Sequence, residues 1–382
     1  MKRIFFVLFL IIGLISFPAA QRRKYGYNPA NYPEVIKEKD FENATDLDKL
    51  YGFIDWDYRS KDITQLSLDF LARQAFDEQT VWPGKDKRPV GFQPEKWMET
   101  GKDPGLKVRE LHRNGISGEG ISVAIFDKYI NPDHVEFSKR IIFHKIKSPL
   151  AKDFQYRIHF HGIACASILC GKNLGVAPGA TLHYFAVPND GNNSYNYCLA
   201  LEELLKVNTK LPARKKIRAV SISDGISRQN PEIYNKWQEL VQRARKEGVA
   251  VIYSESETTH AVFTWGGCPP FLDRNSSENY DYAFWPRNND ERHTEKIILP
   301  ADYRTTAQNR EKIAYVYWGD GGFSWAIPYF AGLAVLAWSL NEDLSIEEIY
   351  NLFKETKTKT LKGRYVVNPI DFINSVKKRV SE

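Results

Sequence analysis

The chain has 382 residues, 43% apolar and 26% charged, which excludes a disordered, collagen-like or coiled-coil protein and leaves one large domain with an extension, or two ordinary domains. A chain of this length holds a core without covalent staples, and its four cysteines exclude a disulfide scaffold. The net charge of +6 includes Lys2 and Arg3 of the leading segment, and the remainder is too mild to argue for nucleic acid.

Lys2 and Arg3 precede an uncharged run from Ile4 to Ala20, followed by the polar Gln21-Arg22-Arg23-Lys24. A basic start, a short apolar core and small residues at Ala19-Ala20 predict a secretory signal peptide over residues 1–20, with an uncleaved anchor as the alternative. The expected localisation is secreted or otherwise extracytoplasmic, without membrane insertion beyond such an anchor. Export permits disulfides. Cys165 and Cys170 lie too far apart along one predicted helix to bridge each other, whereas Cys198 and Cys268 can pair with them or with each other.

Residues 21–104 read as an N-terminal extension rich in Tyr, Asp, Lys and Pro, with one helical stretch around Leu66, Leu68, Phe70 and Leu71. From about residue 105 strands alternate with helices, and residues 105–382 read as one domain. Ile121-Ser122-Val123-Ala124-Ile125-Phe126 has the β-rich, apolar character of a buried strand. Ala219–Ser223 and Val249–Ile252 predict two more. Between those two, Pro231 opens a helix carrying Ile233, Trp237, Leu240, Val241 and Ala244 at helical spacing, and Gly248 stops it. Phe323 to Leu340 has no charge over 18 residues, but Ser324, Pro328, Tyr329, Gly332 and Ser339 within it favour a buried central helix over a membrane span. Ser345 and Glu348 form a capping box for a last helix through Ile349, Leu352 and Phe353. The predicted fold is α/β: a doubly wound, mostly parallel sheet with helices on both faces, plus the extension.

Enzymes built on such sheets carry reactive groups just past strand carboxyl ends and at helix starts. Asp127 follows the strand ending at Phe126, His161 opens an apolar stretch, and Ser324 opens the long uncharged helix. Each has an ordinary reading: Asp127 as a turn residue, Ser324 as a helix cap, and His159 with His161 as a metal pair that lacks an evident third ligand. Together they make a nucleophilic triad in which Ser attacks, His takes the proton and Asp orients the imidazole. Gly322-x-Ser324-x-Ala326 superficially resembles the α/β-hydrolase elbow, whose His follows its Ser. All eight histidines here precede Ser324, so the order is Asp, His, Ser.

In that order the chain resembles the subtilisin-like serine proteases. Val123-Ala124-Ile125-Phe126-Asp127 is similar to the family's Asp segment. His161-Gly162 through Gly171, with Gly175-Val176-Ala177-Pro178, is similar to its His segment. Ser223-Asp224-Gly225 stands where the family has its substrate-lining Ser-Leu-Gly, and Gly322-Phe323-Ser324-Trp325-Ala326-Ile327-Pro328 resembles its nucleophile signature. The chain departs from the family at four places. Lys128-Tyr129 replaces the usual Thr-Gly, Ala164 a second His, Phe323 a Thr, and Glu257 falls by count at the Asn that serves the oxyanion.

The resemblance implies an exported serine endopeptidase acting on polypeptide substrates through Asp127, His161 and Ser324, with Ser223 and Gly225 lining the substrate and Glu257 at the oxyanion position. The altered oxyanion position supports the alternative of a catalytically degenerate protein that binds peptides or a protein partner. An esterase with the same triad also fits the sequence. Many relatives carry an inhibitory propeptide, and residues 21–104 are long enough for one, although no strand–helix–strand alternation is legible there. Some relatives bind calcium, so calcium is allowed by resemblance alone. No spaced acidic cluster points to it, and no other cofactor is implied.

Overall fold

The computed structural model describes residues 25–137, 140–152, 157–189, 191, 193–283 and 295–381, except the side chains of Glu257 and Ser381. The leading segment, with its predicted signal peptide, lies outside the described residues. Five parallel strands form the central sheet in the order Ile141–Lys145, Thr181–Ala186, Ser122–Asp127, Ile217–Ile222, Ala250–Tyr253. After Ser122–Asp127 the chain builds two strands to one side and then two to the other. The order therefore reverses at that strand, where open α/β sheets form their binding crevice.

The Ser122–Asp127 strand is buried at every residue because both of its faces are covered. Val123 and Ile125 face a core shared with helices Phe160–Cys170 and Phe323–Trp338. Ala124 and Phe126 face a second core built with Tyr197, Leu201 and Leu204 of the 193–210 helix and Trp237, Leu240 and Ala244 of Pro231–Lys246. Alternate residues thus serve opposite layers, as the pleat requires. In the uncharged run, the helix is buried from Trp325 to Trp338, and no described helix is long and apolar enough to cross a membrane.

Two smaller sheets complete the domain, and neither has a legible sequence signal. One has five strands in the order Thr358–Lys359, Tyr365–Val366, Ile297–Asp302, Phe263–Gly267, Asp281–Tyr282. The other is antiparallel, with Tyr315–Trp318 between Phe76–Asp77 and Arg304–Ala307. Its first strand comes from the extension. Residues 25–104 join the main core through Tyr27, Phe53, Leu71, Phe76 and Trp97. Arg310 reaches back to Asp55 at 3.2 Å and Asp77 at 3.3 Å, and the Tyr317 hydroxyl donates to the Ala72 carbonyl at 2.9 Å. All four cysteines are buried and free.

Candidate active site

Asp127 ends the central strand with 1% of its surface exposed, and its carboxylate has two described partners. Oδ1 accepts the Lys128 backbone N–H at 2.7 Å, and Oδ2 accepts His161 Nδ1–H at 2.7 Å. That second bond fixes the imidazole proton on Nδ1 and leaves Nε2 as the basic atom when the ring is neutral. Burial opposes ionisation of both groups, but their mutual attraction wins. Asp127 lies below the usual carboxylate range, and the Asp127 charge holds His161 well above the ordinary imidazole value.

The neighbouring histidine has a different task. His159 caps the Phe160–Cys170 helix, its Nδ1 accepting the His161 backbone N–H at 3.2 Å. Burial, then the nearby His161 charge, lowers its pKa and keeps it neutral for that role. One turn along this helix, Cys165 Sγ lies 3.9 Å from His161 Nδ1 and donates to the Ser324 carbonyl at 3.6 Å. Cys165 therefore touches both the histidine and the serine segment. The ring of Trp325 closes the same space, 5.4 Å from that of His161.

Ser324 is the second residue of its helix, behind a cap at Gly322 whose φ of +63° suits glycine. Four residues on stands Pro328, which has no N–H to give the Ser324 carbonyl. The Ser223 hydroxyl supplies the missing donor at 2.7 Å, and the Ser324 hydroxyl in turn donates to the Ser223 carbonyl at 3.3 Å. The residue expected to line the substrate thus also latches the Ser324 segment. The proline spacing was a signal for it.

Lys128, at the altered turn, ties this loop to the aspartate. Its Nζ lies 3.3 Å from Asp224 Oδ2, which also accepts from Asn193 Nδ2 at 2.9 Å and the Tyr197 hydroxyl at 2.8 Å. Glu257 begins the short Glu257–Val262 helix, with Ser256 as its cap. Its side chain lies outside the described residues, so the expected oxyanion role has no geometry here. Among the described residues, Asp127, His161 and Cys165 bring three ligand atoms within 4.8 Å of one another. One oxygen, one nitrogen and one sulfur do not suit calcium, which takes oxygen ligands.

Sequence reasoning missed a carboxyl pair behind the loop that leads into Ser324. Asp302 Oδ1 accepts the Gly321 N–H at 2.9 Å, and burial together with the Asp320 charge pushes the Asp302 carboxyl up to about 8, despite opposing bonds from the Gly321 and Gly322 amides. Folded Asp302 holds its proton more tightly than the unfolded chain, whose carboxyl titrates near 3.8. Its contribution to stability is present below that value and is lost as pH rises toward about 8. Asp302→Asn is neutral throughout, so it should gain in melting temperature over the parent between pH 5 and pH 9. Thermal melts at both pH values check this, and a gap that does not widen with pH removes Asp302 from the account.

A buried Asp–His pair at a strand end and a serine at a helix start thus meet over the doubly wound sheet of an α/β protein. Residues 118–304 match the model of the Subtilase family, and across these residues the chain belongs to that family of serine proteases. It is 28% identical over 200 residues to subtilisin-like protease 2 of Arthroderma otae, covering 51% of this chain and 43% of that protein. It is 29% identical over 139 residues to subtilisin-like protease 2 of Trichophyton equinum, covering 36% and 31%. The match thus spans less than half the length of these relatives. A solved structure, that of the prenylagaramide maturation protease PagA, shares the fold at a TM-score of 0.50 and 16% identity, over 70% of this chain and 98% of that one.

Proposed function

We propose that this protein is an exported serine endopeptidase in which Ser324 is the nucleophile, His161 the general base and then acid, and Asp127 the orienting carboxylate. The observation that carries the reading is the buried 2.7 Å Asp127–His161 bond, which leaves Nε2 unprotonated in the neutral ring. For this chemistry the Ser324 hydroxyl must leave the Ser223 carbonyl and give its hydrogen bond to that nitrogen. Oγ then attacks the substrate carbonyl while Nε2 takes its proton. The negative oxygen that forms is met by the Ser324 backbone N–H at the positive end of a 16-residue helix. His161 returns the proton to the leaving amine, and water discharges the acyl-enzyme by the reverse path. Export is supported by the charge and apolar pattern of residues 1–20.

A fluorophosphonate probe tests the reading: it should label Ser324 and no other serine, as read by peptide mass spectrometry. One observation favours the second reading, a peptide binder that does not cut, namely the Ser324 hydroxyl resting on Ser223. An unlabelled Ser324 selects the binder.

The raised His161 pKa sets the pH dependence. The ring must be neutral to accept the serine proton, so kcat/KM should climb as pH rises through a value well above ordinary imidazole, giving an alkaline enzyme. A pH–rate profile with its acid limb centred at or below 6.5, the reference value, would contradict the Asp127 coupling.

A further inference from the structure

The loop after the Ile217–Ile222 strand abuts the nucleophile through the two Ser223–Ser324 hydrogen bonds. On the peptidase reading, in which Ser223 and Gly225 line the substrate, an acyl group on Ser324 Oγ lies against Ser223-Asp224-Gly225. The adjacent strand ends level with it, because Ile222 and Tyr253 are register partners. Three residues beyond that rung stands Gly225, and two beyond it on the neighbour stands Glu255. Their loops meet: a Cβ added to Gly225 would lie 2.3 Å from Glu255 Cδ and Oε1, so the carboxyl group fills the space over the glycine.

The two acids of this wall differ in their surroundings. Asp224 is neutralised by Lys128 and hydrogen-bonded by Asn193 and Tyr197. Glu255 is exposed and makes no ion pair or hydrogen bond among the described residues. One uncompensated negative charge thus stands where the substrate passes.

We propose that Glu255 selects a lysine or arginine side chain on the substrate residue lying against Gly225. This rests on the peptidase reading for its location and adds the substrate class. A cation there gains a charge-assisted hydrogen bond, worth about tenfold in binding once the bound peptide covers the wall from water. A carboxylate meets repulsion instead.

The test separates the selection from the chemistry. In the Ser324→Ala background, fluorescence polarisation measures the binding of peptides that differ only in carrying lysine, norleucine or glutamate at the residue acylated. The lysine peptide should bind at least tenfold tighter than the norleucine peptide and the glutamate peptide weakest. Adding Glu255→Gln should bring the lysine-to-norleucine ratio within about threefold, and Glu255→Lys should invert the order of lysine and glutamate. A ratio under threefold in the parent, a ratio that survives Glu255→Gln, or no binding by any peptide overturns the assignment. With Ser324 intact, an absence of cleavage and labelling alongside the expected binding order would instead overturn the peptidase reading and leave Glu255 as the selector of a binding protein.

Discussion

Ser324→Ala is expected to abolish labelling by the serine probe and to lower peptide turnover by roughly 10⁶-fold, and His161→Ala to do the same, on scales that derive from subtilisin itself. The two groups act as one unit, so the double variant should be no worse than either single one. Asp127→Asn is expected to fold normally and lose about 10⁴-fold, because an amide at the 2.7 Å contact can present its N–H to Nδ1 and favour the wrong tautomer. Three measurements bear on this: probe labelling, kcat on a peptide substrate and a thermal melt of each variant. Labelling that survives in His161→Ala would dismiss His161 as the base. Turnover at the parent rate in Asp127→Asn would reduce Asp127 to a turn residue.

Gly319→Ala is expected to cost about 3 kcal/mol or more, although it removes nothing. A Cβ at Gly319 would lie 2.1 Å from the Arg73 carbonyl carbon, and its three nearest atoms all belong to the Arg73 backbone. Side-chain rotation cannot relieve that contact. The extension or the loop before Ser324 must move, and the Phe76–Tyr317 pairing lies on the same seam. The variant should melt several degrees lower, and limited proteolysis should cut within residues 25–104 faster than in the parent. A melt matching the parent's would mean that the extension rests on the domain without being clamped to it. Such loose attachment is what a removable propeptide needs.

The strands at Ser122–Asp127, Ile217–Ile222 and Ala250–Tyr253 were legible as short apolar runs, whereas Ile141–Lys145, with no fully buried residue, was not. Val123 through Phe126 could hardly be read otherwise, and Pro231 with Gly248 bracketed the helix between two of them. Asp127, His161 and Ser324 stood out as candidates because they sit on the ends of elements. What escaped depends on contacts far apart in sequence. Phe76–Asp77 and Asp281–Tyr282 are too short to show a period of two, and only their partners make them strands. Asp302 and Asp320 are separated by a sheet-changing turn at Tyr303, whose φ of +57° nothing in the local sequence announces. Glu257 was placed by counting along the segment after a strand, and that count falls on the first residue of a short helix.

Pro328 also divides the stability of the nucleophile helix. Upstream of it, the Ser324 carbonyl is held from outside, by Ser223 and Cys165, and not by the helix's own ladder. Downstream, residues 329–338 are buried without interruption. The first turn can therefore open without unzipping the remainder, which makes it a separate unit of local unfolding. Amide hydrogens ahead of the proline should exchange through small openings, while those behind it wait for global unfolding. The serine would then ride on the soft end of one of the most deeply buried helices in the molecule.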